Sequence, residues 1–235
     1  MRLRRAAEIR AASFALEAAA SGGGGIGTPL RLITTGQAST AAVPMVAVTE
    51  AASPAGATVI AFSHGNSAST PNSVTDAASN VYTQIGAATP ANNIRSRMFA
   101  CVAASALALG DTMSFGYSAT TGIKLALAAS CTGVLAHDQS VSAVADAATA
   151  MTATTAALAS ANSIIFAGID VDNGNLDSEP ALDGGGWTQV AKRVQGAGAA
   201  YLYAKTVSTA GAVTLNVTLP VARTATLILS VFRGG

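Results

Sequence analysis

The densest group of ionisable residues in the chain is Asp170-Val171-Asp172-Asn173-Gly174-Asn175-Leu176-Asp177, with Glu179 and Asp183 beyond it. Alternating oxygen-bearing side chains around a glycine are what a calcium loop uses, because a hard cation takes roughly six to eight oxygens at close range. Asp170, Asp172 and Asp177 are the candidate ligands, and calcium is the one candidate cofactor. The helix-loop-helix calcium pattern is not matched, since its closing bidentate Glu is missing and the run sits at a strand end. The plainer reading is a solvated inter-strand loop in which Asp, Asn and Gly supply turn geometry. A second group is aromatic: Trp187, Tyr201 and Tyr203. Their faces suit the apolar faces of a sugar and make them surface-contact candidates; the same residues also serve as core and cross-strand packing in a β protein.

Nucleophilic chemistry finds little purchase. Ser63 precedes His64, but neighbours on a strand point to opposite faces, so they do not form a nucleophile and its base. His137, the other histidine, falls in connector text, and His64 in turn text. The sequence has no Gly-x-Ser-x-Gly, His-Glu-x-x-His or Cys-x-x-Cys, and no Gly-x-Gly-x-x-Gly between a strand and a helix. No catalytic residue is assigned, and the expectation is a protein that is not an enzyme. Asn216-Val217-Thr218 fits a glycosylation triplet but lies inside a predicted strand.

At 235 residues the chain is long enough for one or two cores without staples. Charged residues make up 11%, hydrophobic residues 50%, and the formal net charge is +1. Neither disorder nor a basic, aromatic-interleaved nucleic-acid surface fits that balance. Apolar runs are interrupted well before the roughly 18 to 20 residues of a membrane helix. Glu8, Arg10 and Glu17 stand where a secretion signal needs its apolar centre. Cys101 and Cys131 both fall on predicted strands; they are either two buried thiols or, if those strands are neighbours, a disulfide.

The elements that must position these residues are strands. Val213, Leu215, Val217 and Leu219 alternate with Thr214, Asn216 and Thr218, the period of a strand with one buried face. The text then recurs. Tyr82-Thr83-Gln84-Ile85 and Trp187-Thr188-Gln189-Val190 stand 105 positions apart, as do Val59-Ile60-Ala61-Phe62 and Ile164-Ile165-Phe166-Ala167. Gly110 and Gly211, and the endings Ser130-Cys131-Thr132-Gly133 and Val231-Phe232-Arg233-Gly234, follow at an offset of 101. The expected fold is all-β: two tandem antiparallel β-sandwich repeats of jelly-roll or Ig-like type, at 42–133 and 150–235, joined by a connector at 134–149. Alanine-rich text from Ala148 to Asn162 favours a helix, but the repeat register sets Met151-Thr152-Ala153-Thr154 on Val46-Ala47-Val48-Thr49, so Met151 to Ala157 is predicted as a strand. Residues 1–41 are predicted to be a short helix (Arg2 to Ala20), a glycine joint (Ser21 to Gly25) and an extended arm (Ile26 to Gln37) that docks on another chain.

Asp76-Ala77-Ala78-Ser79-Asn80-Val81-Tyr82-Thr83, followed by a hydrophobic Tyr/Phe-Ala strand, a Gly-x-x-Thr-hydrophobic run and a closing Phe-x-Gly, resembles the duplicated β-sandwich modules of accessory virion proteins of tailed bacteriophages: tail fibres, head fibres and decoration proteins. The resemblance covers about Ala42 to the C-terminus and brings no catalytic residues. It implies a virion protein assembled in the bacterial host cytoplasm, a homo-oligomer with a trimer favoured, held to other virion proteins through residues 1–41 and facing a host surface glycan or protein. A tail-tip fibre component leads. A capsid head-fibre or decoration protein, or a secreted bacterial carbohydrate-binding or adhesion module, is the alternative.

Overall fold

The computed structural model describes residues 25–37, 44–66, 69–90, 94–120, 122–172, 179–196 and 198–235. Among them it is all-β, with no helix and fourteen strands. These are β1 (Leu30–Gln37), β2 (Met45–Val48), β3 (Thr58–Asn66), β4 (Pro71–Asp76), β5 (Thr83–Ala88), β6 (Ile94–Cys101) and β7 (Thr112–Tyr117). They continue as β8 (Lys124–Cys131), β9 (Val134–Thr154), β10 (Ser163–Asp172), β11 (Ala181–Leu182), β12 (Thr188–Gln195), β13 (Gly198–Val207) and β14 (Thr214–Gly234). The helix and glycine joint expected over residues 2–24 lie outside the described residues.

All pairings are antiparallel. One sheet runs β1-β8-β3-β6-β5, a second runs β11-β14-β10-β13-β12 with β9 on the other side of β14, and a third runs β2-β7-β4. Three apolar clusters fill the space between sheets. Val59, Ala61, Phe99 and Ala126 of the first sheet meet Met45, Met113 and Phe115 of the third. Ile165, Ile169, Tyr201 and Leu229 of the second sheet meet Met151, Leu215 and Val217, which lie at the far ends of β9 and β14. Between these two, the opposite faces of the first and second sheets meet each other: Ile60, Phe62, Met98 and Leu127 against Phe166, Leu202, Ile228 and Phe232.

That central cluster explains the burial pattern. β3, β8, β10 and β13 are covered on both faces, and nearly every residue in them is buried. The first half of β14 is covered on one face only and alternates exposed and buried from Thr214 to Leu219, as its sequence dictates. Close approach across the central layer requires small residues: a Cβ on Gly168 would overlap the Phe62 ring.

Several segments differ from the sequence expectation. Leu30–Gln37 is no free arm, since β1 pairs with β8 of its own chain along its length. The expected connector at 134–149 is strand: with residues 150–154 it forms the 21-residue β9, which pairs with β14. Cys101 and Cys131 are free thiols. They sit on β6 and β8, which flank β3 and do not touch each other in the sheet order, so no disulfide geometry exists between them.

Candidate functional site

Among the described residues, one fully buried pair of ionisable side chains joins the two large sheets. His64 on β3 stands opposite Ser96 on β6 in the strand register. Asp170 on β10 stands opposite Thr226 on β14. Directly opposed residues in an antiparallel pair point to the same face, so each sheet presents one polar pair to the central layer. All four side chains are fully buried.

His64 Nδ1 lies 2.5 Å from Asp170 Oδ2. Ser96 Oγ donates to the same carboxylate oxygen at 2.7 Å, and Thr226 Oγ1 lies 2.6 Å from Ser96 Oγ. Ser96 has one proton and gives it to the carboxylate, so Thr226 is the donor to Ser96. The residue types are those of a serine hydrolase, but the order is different. A nucleophilic serine needs its hydroxyl on the imidazole; here it is on the acid. His64 Nε2 has no hydrogen-bond partner among the described residues and faces Gly198. What the arrangement does is join two sheets: a buried imidazole and carboxylate, each fixed by its own sheet, meet across an otherwise apolar layer. Removing one partner of such a pair leaves the other uncompensated, at a cost of about 3–5 kcal/mol.

Ser63 behaves as strand geometry requires. Its Oγ bonds the Tyr117 hydroxyl at 2.8 Å, on the face away from His64. Burial pushes the Tyr117 hydroxyl above its ordinary pKa.

The predicted calcium ligands do not converge among the described residues. Asp170 turns inward to His64 and Ser96, Asp172 ends β10 half-buried, and Asp177 lies outside the described residues. Among the described residues no group of three or more His, Cys, Asp or Glu is placed to hold a metal ion. Tyr201 and Tyr203 are buried and stack on each other with ring centroids 6.3 Å apart, inside the cluster under the second sheet. That corrects the surface-contact reading of both rings: they are core. Trp187 is half-buried against the same cluster, with Lys205 Nζ 5.7 Å from its ring centroid. Beside Lys205, Thr188, Gln189 and the lead-in residues Ile26 to Pro29 line an open cavity of about 340 Å³.

The Asp76 motif proves to be a turn tie. Asp76 Oδ1 accepts the backbone N–H groups of Ala78 and Asn80, and Oδ2 accepts Asn80 Nδ2 at 2.9 Å and the Tyr82 hydroxyl at 2.7 Å. Burial and the Asp76 carboxylate hold the Tyr82 hydroxyl well above its usual pKa. Asp183 does related work in the second half of the chain, accepting the backbone and side-chain N–H groups of Asn216.

Ser96 and Thr226 carried no signal in the sequence. For His64 and Asp170 a signal existed: each follows an apolar strand run, Val59 to Phe62 and Ile164 to Ile169. No family model, no curated protein and no solved structure matches the chain.

Proposed function

We propose that this chain is a non-enzymatic structural protein of a bacteriophage virion, a fibre component of the tail tip that is anchored through its N-terminal segment and offers β-sandwiches to a host surface. One observation carries the reading. The histidine, aspartate and serine that chemistry would need are closed inside the layer that fuses two halves of the chain. The carboxylates of Asp76 in the motif and of Asp183 in the second half are engaged in turn ties.

The tandem duplication belongs to the same proposal, and the strand orders support it. Setting β1 on the first half of β9, β3 on β10, β5 on β12, β6 on β13 and β8 on the second half of β14 carries the order β1-β8-β3-β6-β5 onto β9-β14-β10-β13-β12. β2-β7-β4 falls likewise on the end of β9, the start of β14 and β11. Each copy is then a sandwich of a large and a small layer, and the two copies lie back to back through their large sheets. With the strand β1 built into the first copy, the anchoring role falls to the residues before Gly25.

A carbohydrate-binding module is the second reading, favoured by the cavity beside Lys205 and Gln189. Antibody raised against the purified chain, used to label particles from a phage-producing host culture in electron micrographs, separates the readings. Label at the tail tip is expected. Label on the capsid moves the chain to the head-fibre class, and no label on any particle overturns the virion reading. Hydrolytic activity that disappears with Asp170→Asn while the fold is retained would overturn the non-enzymatic part.

A further inference from the structure

An exposed sheet edge offers a row of unpaired backbone groups to any extended chain, and proteins guard such edges by shortness, proline, bulges or basic side chains. The edges of this protein are guarded in just those ways, with one exception. β1 follows Pro29, carries the exposed Arg31 and has a register break between Arg31 and Ile33. β2 has four residues and β11 two. β4 begins at Pro71 with a break beside it, and β5 breaks between Gln84 and Gly86. β12 breaks between Gln189 and Ala191 and carries Lys192 and Arg193.

β9 is the exception. It pairs with β14 alone among the described strands, and from Gln139 to Ala145 its register against β14 runs without a break. That stretch, Gln139-Ser140-Val141-Ser142-Ala143-Val144-Ala145, contains no charge, no proline and no glycine. Val144 is 49% exposed, one of the few large apolar side chains left at the surface.

We infer that the edge of β9 from Ser140 to Asp146 is a self-association surface, on which a second copy of the chain adds its own β9 antiparallel to extend the second sheet across a two-fold axis. A second copy fits by charge as well as by shape. With the axis at Ala143, Ser142 opposes Val144 and Asp146 opposes Ser140 of the other chain, so the carboxylate faces an uncharged side chain and no two like charges face each other. An axis at Ser142 would set Asp138 against Asp146, which disfavours that register. Edge pairing of this kind is two-fold and isologous, so it closes as a dimer and not as the trimer expected from the fibre analogy.

The inference deepens the self-association within the proposed function and rests on that part of it. Its test is the mass of the full chain by light scattering through the micromolar range. Two-chain mass is expected for the natural protein and for Val144→Thr, which keeps a strand-compatible side chain. One-chain mass is expected for Val144→Lys and Ser142→Lys, with the strand signal in circular dichroism and cooperative unfolding retained. A natural protein of one-chain or three-chain mass, or a Val144→Lys variant that stays two-chain, overturns the inference. Particle labelling and solution mass fail independently, so loss of one leaves the other standing.

Discussion

His64 and Asp170 form a contact 106 positions apart in sequence whose partners belong to different sheets. Without Asp170 the buried His64 ring has no hydrogen-bond partner among the described residues, and without His64 the buried Asp170 keeps only Ser96, so strong non-additivity is expected. Asp170→Ala and His64→Ala should each lower unfolding free energy by about 3–5 kcal/mol, and the double variant should cost less than their sum by on the order of 0.5–3 kcal/mol. Urea titrations of the four proteins read this directly; additive costs would mean the pair is not a unit. His137 supplies a pH dependence. Its ring packs edge-on to Phe232 at 5.4 Å and Nε2 meets Ser140 at 2.9 Å. Burial lowers its pKa from the ordinary value, against the raising effects of a Gln139 backbone hydrogen bond and of Asp138. The folded state therefore resists a proton that the unfolded chain accepts below about pH 6.5. This contribution is whole above that pH and is lost as the pH falls toward the lower folded value. Midpoints measured from pH 8 to pH 5 should fall less steeply in His137→Gln than in the natural protein.

The strands decide which of these residues meet, and they also decide what the sequence makes legible. Where one face is wet, as in Thr214 to Leu219, alternation gives the strand directly. His64 looked like turn text because Gly65 and Asn66 follow it, yet β3 runs on to Asn66 with both faces buried, so its alternation is erased. A Cβ at Gly65 would collide with the Ser69 carbonyl, which shows that this glycine serves close backbone approach inside the fold and not a turn of its own. Residues 134–149 read as a connector because Ala, Ser and Asp are weak strand formers; the partner β14 overrides that preference. The alanine-rich run after Ala148 is strand as far as Thr154, three residues short of the expected Ala157, and not the helix that its composition favours. Asp170 reads as a loop ligand for a related reason: its acidic neighbours suggest a loop, while its own place is two residues before the end of β10, where it is fully buried. Two expectations belong at this scale. Gly168→Val should cost about 1–3 kcal/mol by overpacking against Phe62, measured by denaturant midpoint. Both thiols should ignore a thiol reagent at pH 8 until the protein unfolds: burial pushes Cys131 up to about 12 and raises Cys101 as well. A native disulfide, seen as loss of both titratable thiols after denaturation, would contradict the strand order.

At the scale of the whole molecule, the layer between the two large sheets does what a linker does not. Phe62, Phe166, Leu202 and Phe232 are buried there, each contributing about 1.5–3 kcal/mol relative to exposure. Neither half of the chain keeps a closed surface without the other, and the polar bridge of His64, Ser96, Asp170 and Thr226 fixes how the halves meet. A protein of this build acts as one block and not as two beads on a string. Trp187 is the chain's single tryptophan and lies in the second half, so its fluorescence follows that half alone, whereas far-ultraviolet circular dichroism follows the strands of both. Recording both signals in one urea titration tests the fused joint most directly. Coincident transitions with one midpoint are the expected result. A tryptophan transition displaced from the circular dichroism transition would show two independently folding halves and contradict the account.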